Sequence, residues 1–324
     1  MSVLRRIMMD GFNIDAIPPS RKIYYTASEK ISPSGNDLGS KVQINIYNAT
    51  TMCGVLVTES DITTIGEYKF YNLDSLTSIT IPNSVTEIGQ YAFSNCSKLT
   101  SVTIPDNVTS IGDYTFDNCK SLTSIIIIPD SVTWVGVCAF RDCDSLTSVT
   151  IGNGVTEIRP SAFYDCSSLT SVTIGDSVTT IGNNAFWDCR NLTSITIPNS
   201  VTEIGQDAFA SCKSLTSVAI PDSVKTIGNN AFYYCDSLKT ITIPNSVTSI
   251  GKGAFFYCHN LVNVYCKATI PPALGDTYVF DDNGSGRKIY VPIESVDAYK
   301  SATNWSEYAD AIVGYDFENN TPVE

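Results

Sequence analysis

Histidine is nearly missing from this chain: its 324 residues hold one, His259. Nucleophilic catalysis of the Ser-His-Asp or Cys-His kind needs an imidazole held by a partner. His259 stands between Cys258 and Asn260 in a polar turn, so it reads as a surface residue. The sequence also lacks G-x-S-x-G, H-E-x-x-H, a P-loop and a dinucleotide fingerprint. It has no C-x-x-C pair, so the eleven cysteines do not form a metal-ligand pattern. Glycoside hydrolysis needs two facing carboxylates, a pairing that sequence leaves open, but the acidic residues mostly sit at loop positions such as Asp106, Asp130, Asp176 and Asp222, which read as solvated repeat corners. An enzyme is therefore only a minor alternative, and no cofactor is expected.

Charge is scarce too. Charged residues are 16% of the chain, and Lys+Arg 20 against Asp+Glu 33 leaves a net charge of −13. That balance opposes nucleic-acid phosphates and anionic membrane surfaces. No apolar run reaches the roughly 18 residues that span a bilayer, so membrane insertion is not expected. The first twenty residues carry two arginines but no apolar h-region, so they do not read as a signal peptide. A replaced leader, export by another route, or no export at all is the expectation that follows.

What is abundant is repetition. Leu76, Leu99, Leu122, Leu146, Leu169, Leu192, Leu215, Leu238 and Leu261 recur at intervals of 23 (99 − 76), with one of 24 (146 − 122). A fixed period of this size marks a solenoid, whose units bury their apolar faces only by stacking. Within one unit, Ile79 and Ile81 alternate with Ser78 and Thr80, the period of a half-buried strand. Pro82 ends that strand. Val85 and Ile88 fit a second short strand, and Gly89 fits a bend with positive φ. Ala92, Phe93 and Cys96 then fit a short helix or 3-10 turn that carries Phe93 inward. Cys96, Cys119, Cys143, Cys166, Cys189, Cys212, Cys235 and Cys258 share one repeat position. They read as a packed column of thiols rather than a disulfide framework, with a weak alternative pairing of Cys138 and Cys143.

This unit, L-x-x-I-x-I-P-x-x-V-x-x-I-x-x-x-A-F-x-x-C, resembles the BspA-like class of bacterial leucine-rich repeat proteins from about Cys53 to Cys266. The resemblance implies a leucine-rich repeat solenoid with a parallel β-sheet on its concave side and short strands, turns and helical or 3-10 segments opposite. It also implies a noncatalytic role, bacterial origin, a cell-surface or secreted location, and a protein or glycan partner bound by recognition or adhesion.

The expected organisation is an N-terminal tail and β cap at 1–52, 23-residue coils at 53–266, and a C-terminal cap at 267–324. Lys22–Ala27 and Lys41–Tyr47 read as cap strands, and residues 1–20 as a loosely held tail. The stretch from Cys53 to Leu73 reads as a degenerate first coil. Ile125–Ile128 carry the one extra residue, for which a bulge is expected. Lys288–Pro292 reads as a final strand, followed by a helix with Trp305 over the last coil.

Two surfaces are binding candidates. One is the outward row of the sheet, including Ser78, Thr80, Ser101, Thr103, Thr150, Thr173, Thr196 and Thr242, which meets its first aromatic at Tyr265. The other is the residue after each core Phe: Tyr164, Trp187, Tyr233 and Phe256, expected to stack as an aromatic stripe. Trp134 is a further candidate, because other coils place Glu, Ser or Thr there. The Ser/Thr row equally suits plain β-formers on a wet face, and the aromatics equally suit packing between coils. Alternative roles are a structural or display component of a phage or secreted particle and, less strongly, an ice- or water-ordering hydroxyl lattice.

Overall fold

The structure, a computed structural model, describes residues 14–33, 38–123 and 125–323. The rest of the expected tail, the centre of the first cap loop and Ser124 lie outside the described residues. The chain divides into two compact units, Met1–Gly154 and Val155–Glu324.

Both units are built from the expected coil. Each turn of the solenoid contributes one strand to each of two parallel ladders. In the first unit, Leu76–Thr80 pairs with Ser101–Thr103, placing Ser78 beside Ser101 and Thr80 beside Thr103. Its second ladder runs Thr64–Ile65, Glu87–Ile88, Ser110–Ile111, Trp134–Val135. In the second unit the same ladder runs from Glu157–Ile158 through Thr180–Ile181, Glu203–Ile204, Thr226–Ile227 and Ser249–Ile250 to Ala273–Leu274.

A core column of phenylalanines holds each stack. Phe70, Phe93, Phe116 and Phe140 stack at 5.1–5.2 Å between ring centroids. Phe163, Phe186, Phe209, Phe232, Phe255 and Phe280 stack at 5.3–5.5 Å. All are buried, and each contributes about 1.5–3 kcal/mol of apolar burial. The recurring cysteine has a specific partner. Its thiol donates to the carbonyl of the phenylalanine one coil back, as in Cys96 to Phe70 (2.9 Å) and Cys212 to Phe186 (3.2 Å). Burial pushes the Cys96 and Cys258 thiols up to about 12, so they are neutral donors. Cys143 keeps the column bond, to Phe116 at 3.2 Å. Cys138 is instead a thiol against Tyr114, so these two are not a disulfide.

The turn around each Phe has the expected i→i−3 bonds, such as Ala92 N–H to Gly89 C=O (3.3 Å) and Cys96 N–H to Phe93 C=O (3.1 Å). It does not continue as a helix, because left-handed residues interrupt it twice per coil: Tyr91 (φ 52°) and Asn95 (φ 61°) in one, Asn230 (φ 53°) and Tyr234 (φ 58°) in another. Each turns its N–H away from its own coil to the next, as Tyr91 N–H does to Asp113 C=O (3.0 Å). The positive φ expected at Gly89 is thus carried two residues later. Gly89 serves close approach: a Cβ there would come within 2.9 Å of Glu67 N, and at Gly112 within 2.5 Å of Gln90 N.

At the N-terminal end the cap strands are present as β1 (Lys22–Ala27) and β2 (Val42–Asn48), with β3 (Cys53–Thr58) beside both. Their order differs from a simple stack. β1 lies between β3 and Leu76–Thr80, antiparallel to each. The degenerate coil therefore supplies the second ladder (Thr64–Ile65) and the Phe column (Phe70), but its first-ladder strand is displaced by one position. Ile23, Tyr25 and Ala27 fill the wedge from the buried face.

In the fourth coil the bulge expected near Ile125–Ile128 does not fall within Ile126–Ile128. Ile126–Ile128 is a regular strand, with Val149, Thr150 and Ile151 opposite in unbroken register. Ile126 and Ile128 keep the buried parity, which leaves Ile125 and Ile127 outward at 62% and 61% exposure.

At the other end Lys288–Pro292 joins the first ladder, with Asn263, Val264 and Tyr265 opposite Lys288, Ile289 and Tyr290. It is not the final strand: Ile312–Asp316 pairs with it in parallel, and Thr321–Val323 then pairs antiparallel. The expected helix is a short one, Val296–Ser301, followed by a 3-10 segment, Trp305–Ala311. Trp305 is buried, packs edge-on to Tyr299 (4.9 Å) and donates from Nε1 to Pro272 C=O (2.7 Å).

Candidate recognition surface

Strand parity decides which side chains the first ladder presents. In the first unit Thr80, Ser101 and Thr103 are exposed, while Ser78 and Thr150 are half-buried. Ser78 receives a hydroxyl contact from Thr26 of the inserted strand, Oγ1 to Oγ at 2.7 Å. Ile127 interrupts the hydroxyl row beside Thr150.

In the second unit Thr173 and Thr196 are exposed and Thr242 is half-buried. Thr242 stands opposite Tyr265 and Tyr265 opposite Tyr290. Tyr265 is not a lone aromatic. Its ring stacks on Tyr290 at 4.7 Å, and Tyr315 meets both edge-on at 5.2 and 5.3 Å. Phe317 closes the group 4.9 Å from Tyr315. Burial lifts the Tyr265 hydroxyl above its ordinary pKa, with smaller contributions from Tyr315 and Tyr290. Of these rings, Tyr315 and Phe317 line an open cavity of about 500 Å³ together with Lys267, Ile293 and Glu294. Tyr290, Tyr315 and Phe317 were missed from sequence. Tyr290 had a legible signal, since Lys288–Pro292 alternates and pairs its central residue with the position of Tyr265.

The aromatics that follow the core Phe form two groups rather than one stripe. Tyr164 stacks on Trp187 at 4.5 Å, and Tyr233 meets Phe256 tilted at 6.0 Å. Between them the same position holds Ala210, which is buried. All four rings are half-buried. Trp134, on the second ladder, is 47% exposed.

A family model described as the BspA type leucine rich repeat region, in six copies, matches residues 63–193 and 179–300. The chain belongs to the BspA-type leucine-rich repeat family. A solved leucine-rich repeat protein from Bacteroides ovatus is 36% identical, with TM-score 0.65 over 72% of this chain and 60% of that protein. The BspA-type chain thus spans about 60% of that relative's length. A leucine rich cell surface protein from Faecalibacterium prausnitzii is 26% identical at TM-score 0.40, covering 88% of this chain and 98% of that one. No curated protein matches the chain.

The chemistry of this BspA-type chain outside its surfaces is sparse. His259 Nδ1 meets Asp236 Oδ1 at 2.5 Å, with Tyr234 and Tyr257 both 5.7 Å from its ring. Cys258 turns away from it into the core, its thiol bonded to Phe232 C=O (3.1 Å) and held neutral by burial. Sequence neighbours that could suggest a Cys-His pair therefore face opposite sides. Among the described residues no group of three or more His, Cys, Asp or Glu side chains is placed to hold a metal. No helix among them is long and apolar enough to cross a membrane.

Proposed function

We propose that this chain is a noncatalytic recognition and adhesion module, working at the cell surface or secreted, that binds a protein or glycan partner through the outward row of its first ladder. One observation carries the reading. The hydroxyl row of the second unit runs into the Tyr265, Tyr290, Tyr315 and Phe317 cluster. A row of short hydroxyls supplies hydrogen-bond partners with little side-chain entropy to lose. It lacks the large rings that dominate binding energy, and this cluster supplies them. The inward placement of the thiols and the surface position of His259 agree with a noncatalytic role.

Binding screens on protein and glycan arrays, followed by the double variant Tyr265→Ala/Tyr315→Ala, test the proposal. A loss of at least about tenfold in affinity is expected, the scale of an aromatic anchor, with thermal unfolding tracked in parallel. Affinity unchanged in that variant and in row variants such as Thr196→Lys would refute the surface assignment.

A further inference from the structure

A second surface departs from the repeat rule. On the second ladder of the first unit, the outward position reads Thr64, Glu87, Ser110, Trp134 in successive strands. The indole at this position keeps 47% of its surface in water, apolar area that a ligand could cover. The neighbouring strands leave room beside it. Glu67, Glu87, Gln90, Ser110 and Asp113 line an open groove of about 320 Å³, with Trp134 as its end wall.

The polar lining is partly fixed in place. Asp113 Oδ1 accepts the Val137 N–H at 2.8 Å, and Gln90 Nε2 donates to Asp113 Oδ2 at 3.3 Å. That pair ties two successive coils together across the groove floor. Glu67 and Glu87 stand exposed along it. Among the described residues no basic side chain lines the groove, so its carboxylates disfavour anionic ligands.

We propose that this groove binds a short neutral oligosaccharide, with Trp134 as the stacking platform and Glu87, Gln90 and Asp113 as hydrogen-bonding groups. A pyranose ring presents two chemistries at once: a C–H face that packs on an indole, and a rim of hydroxyl donors. Carboxylates accept such donors in charge-assisted bonds, about twice as strong as neutral ones. Length argues against a single ammonium or guanidinium group. Three coil spacings separate Glu67 from Trp134, on the order of 14 Å at the ~4.8 Å spacing of paired strands, and one such group cannot reach both. A chain of two or three sugar rings can. The groove is on the second ladder, so this site does not depend on the first-ladder reading above.

The test is titration of the full chain with cellotriose, chitotriose and α-1,6-mannotriose, with Nα-acetylarginine amide as the cationic comparator. Trp134 emission is isolated by subtracting the Trp134→Phe spectrum, and calorimetry supplies affinities. At least one trisaccharide is expected to bind in the millimolar range or tighter and to shift that emission. Trp134→Ala should weaken it by at least about tenfold, and Glu87→Gln by about threefold. The Tyr265→Ala/Tyr315→Ala variant should bind it unchanged, which separates this site from the first-ladder surface. Silence with all three trisaccharides, binding of the arginine amide alone, or trisaccharide binding indifferent to both Trp134→Ala and Glu87→Gln would each overturn the proposal. Glu87→Gln covers the case in which Trp134→Ala disturbs folding.

Discussion

The corner before the core phenylalanine is left-handed in both units, yet the two units fill it differently. In the first unit it holds Tyr68, Tyr91, Tyr114 and Cys138 (φ 54°, 52°, 56° and 54°). In the second it holds Ser161, Asn184, Asp207, Asn230 and Gly253 (φ 57°, 55°, 53°, 53° and 57°). Asn, Asp and Gly tolerate this conformation, whereas a tyrosine is strained in it by about 1–2 kcal/mol. The tyrosines recover that cost from one another. Tyr68 stacks on Tyr91 at 4.8 Å and Tyr91 on Tyr114 at 4.7 Å, nearly parallel, and Arg141 covers the Tyr114 ring at 5.4 Å. The coil-to-coil hydrogen bonds impose the backbone angle, and the side chain is free to differ. Four corners of the second unit meet the demand by intrinsic propensity, and three of the first by a ladder of rings.

The largest effect to expect breaks both units together. A buried thiol whose pKa is raised in the folded chain stabilises the fold fully below its unfolded value, 9.0, and loses that contribution as pH rises toward the folded value, about 12 for Cys96 and Cys258. Above pH 9 the unfolded chain releases protons that the folded chain keeps. Each such thiol should then remove about 1.4 kcal/mol of stability per pH unit. Near-ultraviolet circular dichroism should show cooperative unfolding before pH 12, and an intact signal there would contradict neutral column thiols.

Next in size are the core rings. Phe93→Ala in the first unit and Phe209→Ala in the second should each cost about 3–5 kcal/mol by chemical denaturation. A clear inequality would show that the two columns are not mechanically equivalent. The sharpest contrast is at the corner itself. Tyr91→Gly relieves backbone strain but removes two stacked neighbours at about 0.5–1.5 kcal/mol each, so a net loss of about 1 kcal/mol is expected. Asp207→Gly should be neutral or stabilising by up to about 1 kcal/mol. If both changes stabilise, ring stacking is not what holds the first unit's corner. Smallest of all, Thr103→Val and Thr196→Val on the outward rows should stay within about 0.5 kcal/mol of the parent.

Much of this was legible in the leucine period. The spacing of Ile79, Val85, Ile88, Phe93 and Cys96 fixed which side chains point inward, because stacked identical units admit only one inner face. The left-handed corners were less visible. Their occupants range from Tyr91 to Cys138 to Gly253, and the conformation comes from hydrogen bonds to the next coil rather than from residue type. The placement of β1 between β3 and Leu76–Thr80 was hidden for a related reason: strand alternation gives the face of Lys22–Ala27 but not its neighbours. The Tyr265 cluster joins residues more than fifty positions apart, and only pairing through Lys288–Pro292 brings Phe317 near. Ile127 outward and Ile126 inward depended on where one surplus residue was absorbed, and four consecutive isoleucines carry no parity of their own.

The reversed strand at the N-terminal end has a consequence for polymerisation. A rod of identical coils offers its own last coil an ideal docking edge on the first coil of another molecule, and filaments would follow. With β1 running backwards and β2 outermost, a strand arriving in the solenoid's own direction would lie antiparallel to β2, so this edge of the sheet does not repeat the parallel edge of an inner coil.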